Sequence, residues 1–275
     1  MQDLEEIVRQ IMELHDQSTI SGLTSPESQT TKIPEYRCPL CQDTGWIQCE
    51  IAEGYTGVRP CECVKAREAE KRILRSGLAD EIKSKTFRNF KTETDWQKSM
   101  KEKAIAYGKA YFEAKEKGGK LPWFFLAGNA GSGKTHLCTA LCGALLNRNI
   151  AVSYMQWVTE SRRLRAMVNE PDFDVIVEPF TDVEVLYIDD LFKQNYMQER
   201  LEVSKAEGKV LFEILNTRYI QNKATIISTE WYLETELMPI DDGTFSRVYE
   251  RSKGFAVSVE RGADKNYRIN GGMND

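Results

Sequence analysis

The sequence predicts an α/β protein with an open parallel sheet organised around a phosphate-binding loop, preceded by a small cysteine-rich module. Three observations carry this. Gly128-Asn129-Ala130-Gly131-Ser132-Gly133-Lys134-Thr135 reads G-x-x-x-x-G-K-T, between the apolar run Trp123-Phe124-Phe125-Leu126-Ala127 and a stretch of small and apolar residues from His136 to Leu146. Strand, glycine turn and helix are the context this motif requires. A second apolar run, Val183 to Ile188, ends in the paired carboxylates Asp189 and Asp190. Cys38-Pro39-Leu40-Cys41 is followed by Cys61-Glu62-Cys63, two short thiol pairs separated by a loop.

Each motif has a chemical reading. Glycines let the P-loop backbone curl so that successive N–H groups face phosphate oxygens, and the helix that follows adds partial positive charge at its N-terminus. Lys134 is placed to reach the β- and γ-phosphates of ATP, or the β-phosphate of ADP, and Thr135 to offer its hydroxyl to Mg²⁺. His136 completes the expected nucleotide-binding run Gly128–His136. The Asp-Asp strand has the Walker B pattern. Asp189 is expected to hold Mg²⁺ at a strand C-terminus, where open α/β sheets bind ligands, and Asp190 to polarise the attacking water. Lys134 and Asp189 lie about 55 residues apart, room for one further αβ unit. For the cysteines, Zn²⁺ takes four thiolates in a tetrahedron, and Cys38, Cys41, Cys61 and Cys63 can close one. Asp43-Thr44-Gly45 and Gly54-Tyr55-Thr56-Gly57 supply turns between the pairs. Cys49 is the odd cysteine and an alternative fourth ligand. A redox C-x-x-C is the competing reading, but it calls for a βαβ setting that is not visible here.

Composition bounds the rest. The 275 residues are 41% hydrophobic and 29% charged, as in a globular protein with a real core and one large or two modest domains. The net charge of -5 supplies no global basic field, so any nucleic-acid contact must come from a local patch. No apolar run reaches the roughly 18 residues of a membrane span, and the acidic N-terminus lacks a signal-peptide pattern. The expected location is the cytoplasm, where the seven cysteines are not expected to form disulfides. Cys138 and Cys142 read as small core residues.

Along the chain, Leu4, Ile7, Val8, Ile11 and Leu14 make a helical stripe that either packs on its own domain or docks on a partner. Residues 18–32 read as a linker. Residues 64–78 read as a charged helix ended by Gly77. Phe87 and Phe90 either pack on the core or cover a base. A helix is expected from Asp95 to about Lys117. A strand follows at 150–155, then a helix at 158–168 carrying Arg162, Arg163 and Arg165. These three arginines are either a phosphate-contact patch or an ordinary exposed face. Residues 191–209 are expected to be partly irregular, with a helix over 210–222. Ala224 to Glu230 reads as a strand beside the Asp-Asp strand, with Ser228, Thr229 or Glu230 placed to sense the γ-phosphate; Thr229 is taken as the nucleotide-binding candidate. A helix at 244–251 carries Arg247 and Arg251, and Phe255–Val259 closes the sheet. The expected division is 1–80 for the N-terminal helix and zinc module, 81–94 for a linker, 95–262 for the nucleotide domain and 263–275 for a flexible tail.

Taken together, Cys38 to Trp46 with Cys61-Glu62-Cys63, the P-loop, Leu186 to Lys193, Ile226 to Glu230 and Ser246 to Glu250 carry a resemblance. From about Cys38 to Val259 the chain resembles the DnaC/DnaI-type replicative helicase loaders, in the style of phage or prophage members. The resemblance implies an AAA+ ATPase domain with a five-stranded parallel sheet in the order 5-1-4-3-2. It also implies a zinc-containing N-terminal domain that grips the hexameric replicative helicase, with single-stranded DNA as a second ligand. Self-association through the ATPase domain follows from the same likeness. It places Arg247 at the arginine-finger position, acting on the ATP of a neighbouring subunit, with Arg251 as the fallback. It places Arg162, Arg163 and Arg165 near the helix such loaders use to contact DNA. Two departures stand out. Asp190 stands where many AAA+ proteins have Glu, which implies slow hydrolysis, and Glu230 stands where related ATPases often have Asn. A transposition-helper ATPase of similar fold and a P-loop small-molecule kinase are the alternative readings.

Overall fold

The computed structural model describes residues 38, 40–52, 55–61, 63–64, 71, 74, 77–193, 196–197 and 200–267. The helix expected near the N-terminus, the 18–32 linker and most of the charged segment 64–78 lie outside the described residues. The first element is a hairpin of β1 (Trp46–Ala52) and β2 (Tyr55–Pro60), antiparallel, with Trp46 opposite Pro60 and Cys49 opposite Gly57. It stands on a tight turn in which Gln42, Asp43 and Gly45 have positive φ. Thr44 N–H donates to Cys41 O (3.0 Å), Cys61 N–H to Gly45 O (2.7 Å) and Cys38 N–H to Asp43 Oδ1 (3.0 Å). These bonds turn both ends of the hairpin inward and bury Cys38, Cys41 and Cys61.

The main sheet has five strands in the order β4-β5-β8-β3-β9, all parallel. They are β3 (Phe124–Ala127), β4 (Val152–Gln156), β5 (Val185–Leu191), β8 (Ala224–Thr229) and β9 (Ala256–Ser258); β6 (Tyr196–Met197) and β7 (Arg200–Leu201) form a separate two-stranded ribbon. Counted from the P-loop strand, the sheet order is 5-1-4-3-2, as the resemblance implied. The central strands are apolar on both faces because both are covered. Phe124, Leu126, Val185, Tyr187, Ala224 and Ile226 face one core, and Phe125, Ala127, Leu186, Ile188 and Ile227 the other.

The first core is closed by α1 (Ala79–Ser84), α2 (Asp95–Glu116) and α3 (Lys134–Asn147), the second by α4 (Trp157–Met167), α5 (Phe173–Thr181), α6 (Lys205–Ile220) and α7 (Asp242–Ser252). Helix α2 begins on a Thr94/Gln97 capping box and is followed by Gly118 at φ 64°, which is why its limits match the expectation. Helix α6 starts at Lys205 rather than near 210, because Ser204 and Glu207 form a capping box. Helix α5 fills the space between the two motifs and was not anticipated; it contains Pro179 and buries Phe173, Val177 and Phe180.

Residues 81–94, expected as a linker, are instead packed into the first core through Ile82, Phe87 and Phe90. Helix α1 lies close on α3, where a Cβ at Gly143 would stand 3.1 Å from Ile82 Cγ2. At the other end, the segment read as a tail opens with a 3₁₀ turn at Ala263–Lys265. Tyr267 N–H then donates to Gly131 O in the P-loop (3.0 Å); residues 268–275 lie outside the described residues. Among the described residues no helix is long and apolar enough to cross a membrane.

Candidate nucleotide site and cysteine cluster

The P-loop crosses from the C-terminal end of β3 to the N-terminus of α3. Gly133 caps that helix at φ 86°, and a Cβ there would meet the Phe90 ring at 2.8 Å. Both the left-handed backbone and the close ring require glycine. Lys134 is buried and donates to the carbonyls of Gly128 (2.8 Å) and Asn129 (2.7 Å), at the mouth of the loop. Burial lowers its pKa, opposed by the negative charges of Glu230, Asp190 and Asp189. Asn129 Nδ2 donates to Gly262 O (2.6 Å), so the chain after β9 ties down the loop's outer edge. Asn129, Ala130, Gly131, Ser132, Thr135 and His136 complete the loop and its first turn as expected. Ala130 to His136 line a cavity of ≈ 280 Å³.

Asp189 at the end of β5 sits opposite Thr135. Thr135 Oγ1 donates to Asp189 Oδ1 (3.2 Å), the arrangement in which hydroxyl and carboxylate can share one cation. Three further hydroxyls donate to this buried carboxylate: Tyr154 (3.1 Å), Tyr187 (2.7 Å) and Ser228. Strand register explains the set. Tyr187 lies two residues before Asp189 on the same face, and Tyr154 of β4 is its register partner. Burial, with Asp189 adding to it, pushes the Tyr154 phenol up, which keeps it a donor. Asp190 follows at φ 55°, in the register shift of β5 between Ile188 and Leu191, and lines the cavity. Its N–H donates to Ser228 Oγ (3.2 Å) and its Oδ2 pairs with Lys193 Nζ at 2.7 Å.

Of the three residues weighed as phosphate sensors, Glu230 lines the cavity. Ser228 is occupied by Asp189. Thr229 touches the P-loop through its main chain only: its carbonyl accepts from Gly128 N–H (3.2 Å), while its side chain is fully buried and donates to Leu191 O (2.8 Å). Side chains alternate across a strand, so 228 and 229 cannot face the same site. His136 stacks edge-on against Phe90 (5.3 Å), with Nε2 2.9 Å from Thr86 O, and burial lowers its pKa. Phe90 packs in the core and also lines the cavity. Lys193, Lys91 and Tyr267 also line the cavity; Lys193 ends the Leu186–Lys193 stretch without a role assigned from sequence, and no motif marks the other two. The same holds for Tyr154 and Tyr187, legible only once the register is known.

The arginines separate by environment. Arg162 and Arg163 are exposed on α4, with Arg163 paired to Glu160 (3.0 Å). Arg165 is half-buried against Glu207 of α6 (3.5 Å), so the three do not form one open patch. On α7, Arg247 lies half-buried over the rings of Phe212 (5.9 Å) and Tyr219 (5.7 Å). Arg251 is buried and donates to Leu121 O (3.3 Å), Asn222 Oδ1 (2.8 Å) and Tyr219 O (2.9 Å), which makes it part of the scaffold.

In the hairpin module, Cys38, Cys41, Cys61 and Cys63 bring their sulfurs within 4.8 Å of one another, a set that can hold a metal ion. Cys49 is outside it, in the middle of β1.

Residues 110–246 match the family described as IstB-like ATP binding protein, a span that includes the P-loop, the Asp-Asp strand and the start of α7. Over these residues the chain is similar to that family of ATP-binding proteins. The chain is also similar to YqaM of Bacillus subtilis (strain 168), 31% identical over 204 residues; the match covers 73% of this chain but only 63% of YqaM. XkdC of the phage-like element PBSX of the same organism is 27% identical over 243 residues, covering 86% of this chain and 87% of XkdC. The replicative helicase loader DnaC of Escherichia coli (strain K12) is 24% identical over 175 residues, covering 62% of this chain and 65% of DnaC. Two crystal structures share the AAA+ fold. The DnaC helicase loader aligns with TM-score 0.51 at 17% identity, over 66% of this chain and 98% of that one. DnaI aligns with TM-score 0.51 at 22% identity, over 66% and 93%.

Proposed function

We propose that this AAA+ protein is an ATP-dependent loader that binds the hexameric replicative helicase and delivers it to single-stranded DNA, as a member encoded by a phage or prophage and acting in the cytoplasm. One observation carries the reading: a closed four-cysteine module stands ahead of a complete P-loop and Asp-Asp site on a 5-1-4-3-2 sheet. The relatives named as helicase loaders and as a phage-like element protein support it. The exposure of Arg162 and Arg163 on α4 is consistent with a phosphate contact there. The same four-cysteine module argues against the transposition-helper alternative.

The cysteine module suits zinc. A zinc tetrathiolate with Zn–S of about 2.3 Å has sulfur–sulfur edges of roughly 3.8 Å, and Cys38–Cys61 is 3.8 Å and Cys41–Cys63 3.3 Å. Four thiolates leave no open position, so the role is structural. In the cleft, ATP is the substrate, and Mg²⁺ supplies charge that offsets its phosphates. Lys134 reaches the β- and γ-phosphates by leaving the Gly128 and Asn129 carbonyls; Thr135 and Asp189 would hold the cation. In hydrolysis the water oxygen bonds to the γ-phosphorus as the bond to the β–γ bridging oxygen breaks. The electron pair leaves with ADP, and the water proton passes to Asp190. Asp190 is one methylene shorter than Glu, so slow turnover is expected.

The test is reconstitution. Full-length protein is mixed with hexameric helicase, ATP and circular single-stranded DNA, and helicase retained on DNA is measured after a salt wash. Helicase should co-purify with the protein and load in an ATP-dependent way that Lys134→Ala abolishes. If neither the host nor the phage helicase is captured or loaded, the loader reading fails.

A further inference from the structure

Lys193 closes the Leu186–Lys193 stretch, and its position is specific. Its ammonium lies 2.7 Å from Asp190 Oδ2 and 4.0 Å from Glu230 Oε1, and all three side chains line the P-loop cavity with Lys134 and Thr135. That end of the cavity is acidic. Asp190 and Glu230 together bring two negative charges to a place where an incoming terminal phosphate would bring more, and like charges a few ångströms apart in a half-buried site repel strongly. Lys193 is the cation between them. Its backbone is pinned: Lys193 N–H donates to Asp190 O (3.1 Å), and the preceding Phe192 is buried at φ 58° with its carbonyl accepting from Trp231 Nε1 (3.0 Å). The four-carbon stem, with the side chain 36% exposed, is the part that can swing.

We propose that Lys193 is a specificity-determining residue that makes this cleft prefer a nucleoside triphosphate to a diphosphate, its ammonium moving from Asp190 to the terminal phosphate. The inference rests on the nucleotide-site reading above and deepens it. A diphosphate presents no group at the Asp190–Glu230 end, so Lys193 stays on Asp190 and contributes nothing to its binding. A triphosphate does present one. The same movement uncovers the Asp190 carboxylate only when a hydrolysable phosphate is present.

The experiment is a binding titration that needs no turnover. Wild type, Lys193→Gln, Asp190→Asn and the double variant are titrated, in Mg²⁺, with a fluorescent non-hydrolysable ATP analogue and the matching ADP analogue. Lys193→Gln should weaken the triphosphate about tenfold, the size of a hydrogen bond between charged groups, with the diphosphate changed less than about twofold. Asp190→Asn removes the competing carboxylate and should raise the triphosphate-to-diphosphate affinity ratio, a gain lost in the double variant. Thermal melts check that each variant is folded. If Lys193→Gln is unstable, the Asp190→Asn ratio decides: no increase overturns the proposal. Equal weakening of both nucleotides by Lys193→Gln, or none, also overturns it. A wild-type chain that binds neither nucleotide would instead sink the nucleotide site itself.

Discussion

Among the described residues, Arg218 is a buried cation with no carboxylate at ion-pair distance. Its guanidinium donates to five backbone carbonyls, those of Phe180, Thr181, Val183, Glu184 and Ala224, and to Thr225 Oγ1. Burial pulls its pKa down to about 9, so it stays charged at neutral pH. The carbonyls belong to the end of α5, the approach to β5 and the start of β8, so one side chain from α6 pins three elements at the edge of the sheet away from the nucleotide. Arg218→Ala would leave those acceptors buried and unpaired and open a cavity, an expected loss on the order of 3–5 kcal/mol. Urea unfolding should show it as a lower midpoint with an unchanged slope; a loss within ~0.5 kcal/mol, the range of an ordinary surface change, would contradict this account. In sequence Arg218 is one more arginine on a helix, because its role depends on carbonyls brought to it by tertiary packing. Lys134, Thr135 and Asp189 were legible because their chemistry is fixed by local spacing around a turn. Thr229 was misread by one step of strand alternation, which a motif's outline does not resolve.

At the level of elements, the strands were legible because apolar runs buried on both faces are short and end in polar residues. Helix α5 was not, since Pro179 interrupts its pattern and Val175 on its outer face is 66% exposed, which blurs the apolar stripe. The start of α6 was available in Ser204-x-x-Glu207 and was passed over within a charged stretch. The 81–94 segment looked like a linker because Ile82, Phe87 and Phe90 are isolated in sequence and become a cluster only against α3. The hairpin module shows the opposite case: two cysteine pairs define it almost completely. We expect zinc analysis to find about one metal per chain. Cys49→Ser should keep that content, because Cys49 lies outside the cluster. Cys61→Ser should lose it and melt the hairpin, since metal binding supplies the folding energy of so small a unit. Equal zinc content in both variants would show the wrong ligand set.

For the whole molecule, the open question is whether one chain contains a complete ATPase. The cleft holds Lys134, Thr135, Asp189, Asp190, Lys193 and Glu230, and among the described residues no arginine lines it. Hydrolysis of a γ-phosphate commonly uses an arginine that stabilises transition-state charge from outside the site. Arg251 is excluded from that role by its three buried acceptors. Arg247, one helical turn earlier, rests on Phe212 and Tyr219, both on α6, and donates to Gly243 O within its own turn. Those contacts are weak enough to exchange, worth about 0.5–1 kcal/mol at an exposed ring. The proposal that Arg247 completes a neighbour's site predicts hydrolysis per chain that rises with protein concentration, and rises further when helicase or single-stranded DNA gathers subunits. Arg247→Ala should keep ATP affinity and lose that rise. Lys134→Ala should bind no ATP yet still offer its arginine. Mixing the two inactive variants should therefore recover part of the activity, since a Lys134→Ala chain can serve the intact P-loop of an Arg247→Ala chain. Phosphate release measured against concentration for each variant and for the mixture decides the matter. Turnover per chain independent of concentration, together with an Arg247→Ala chain as active as wild type, would mean that the site is complete within one subunit.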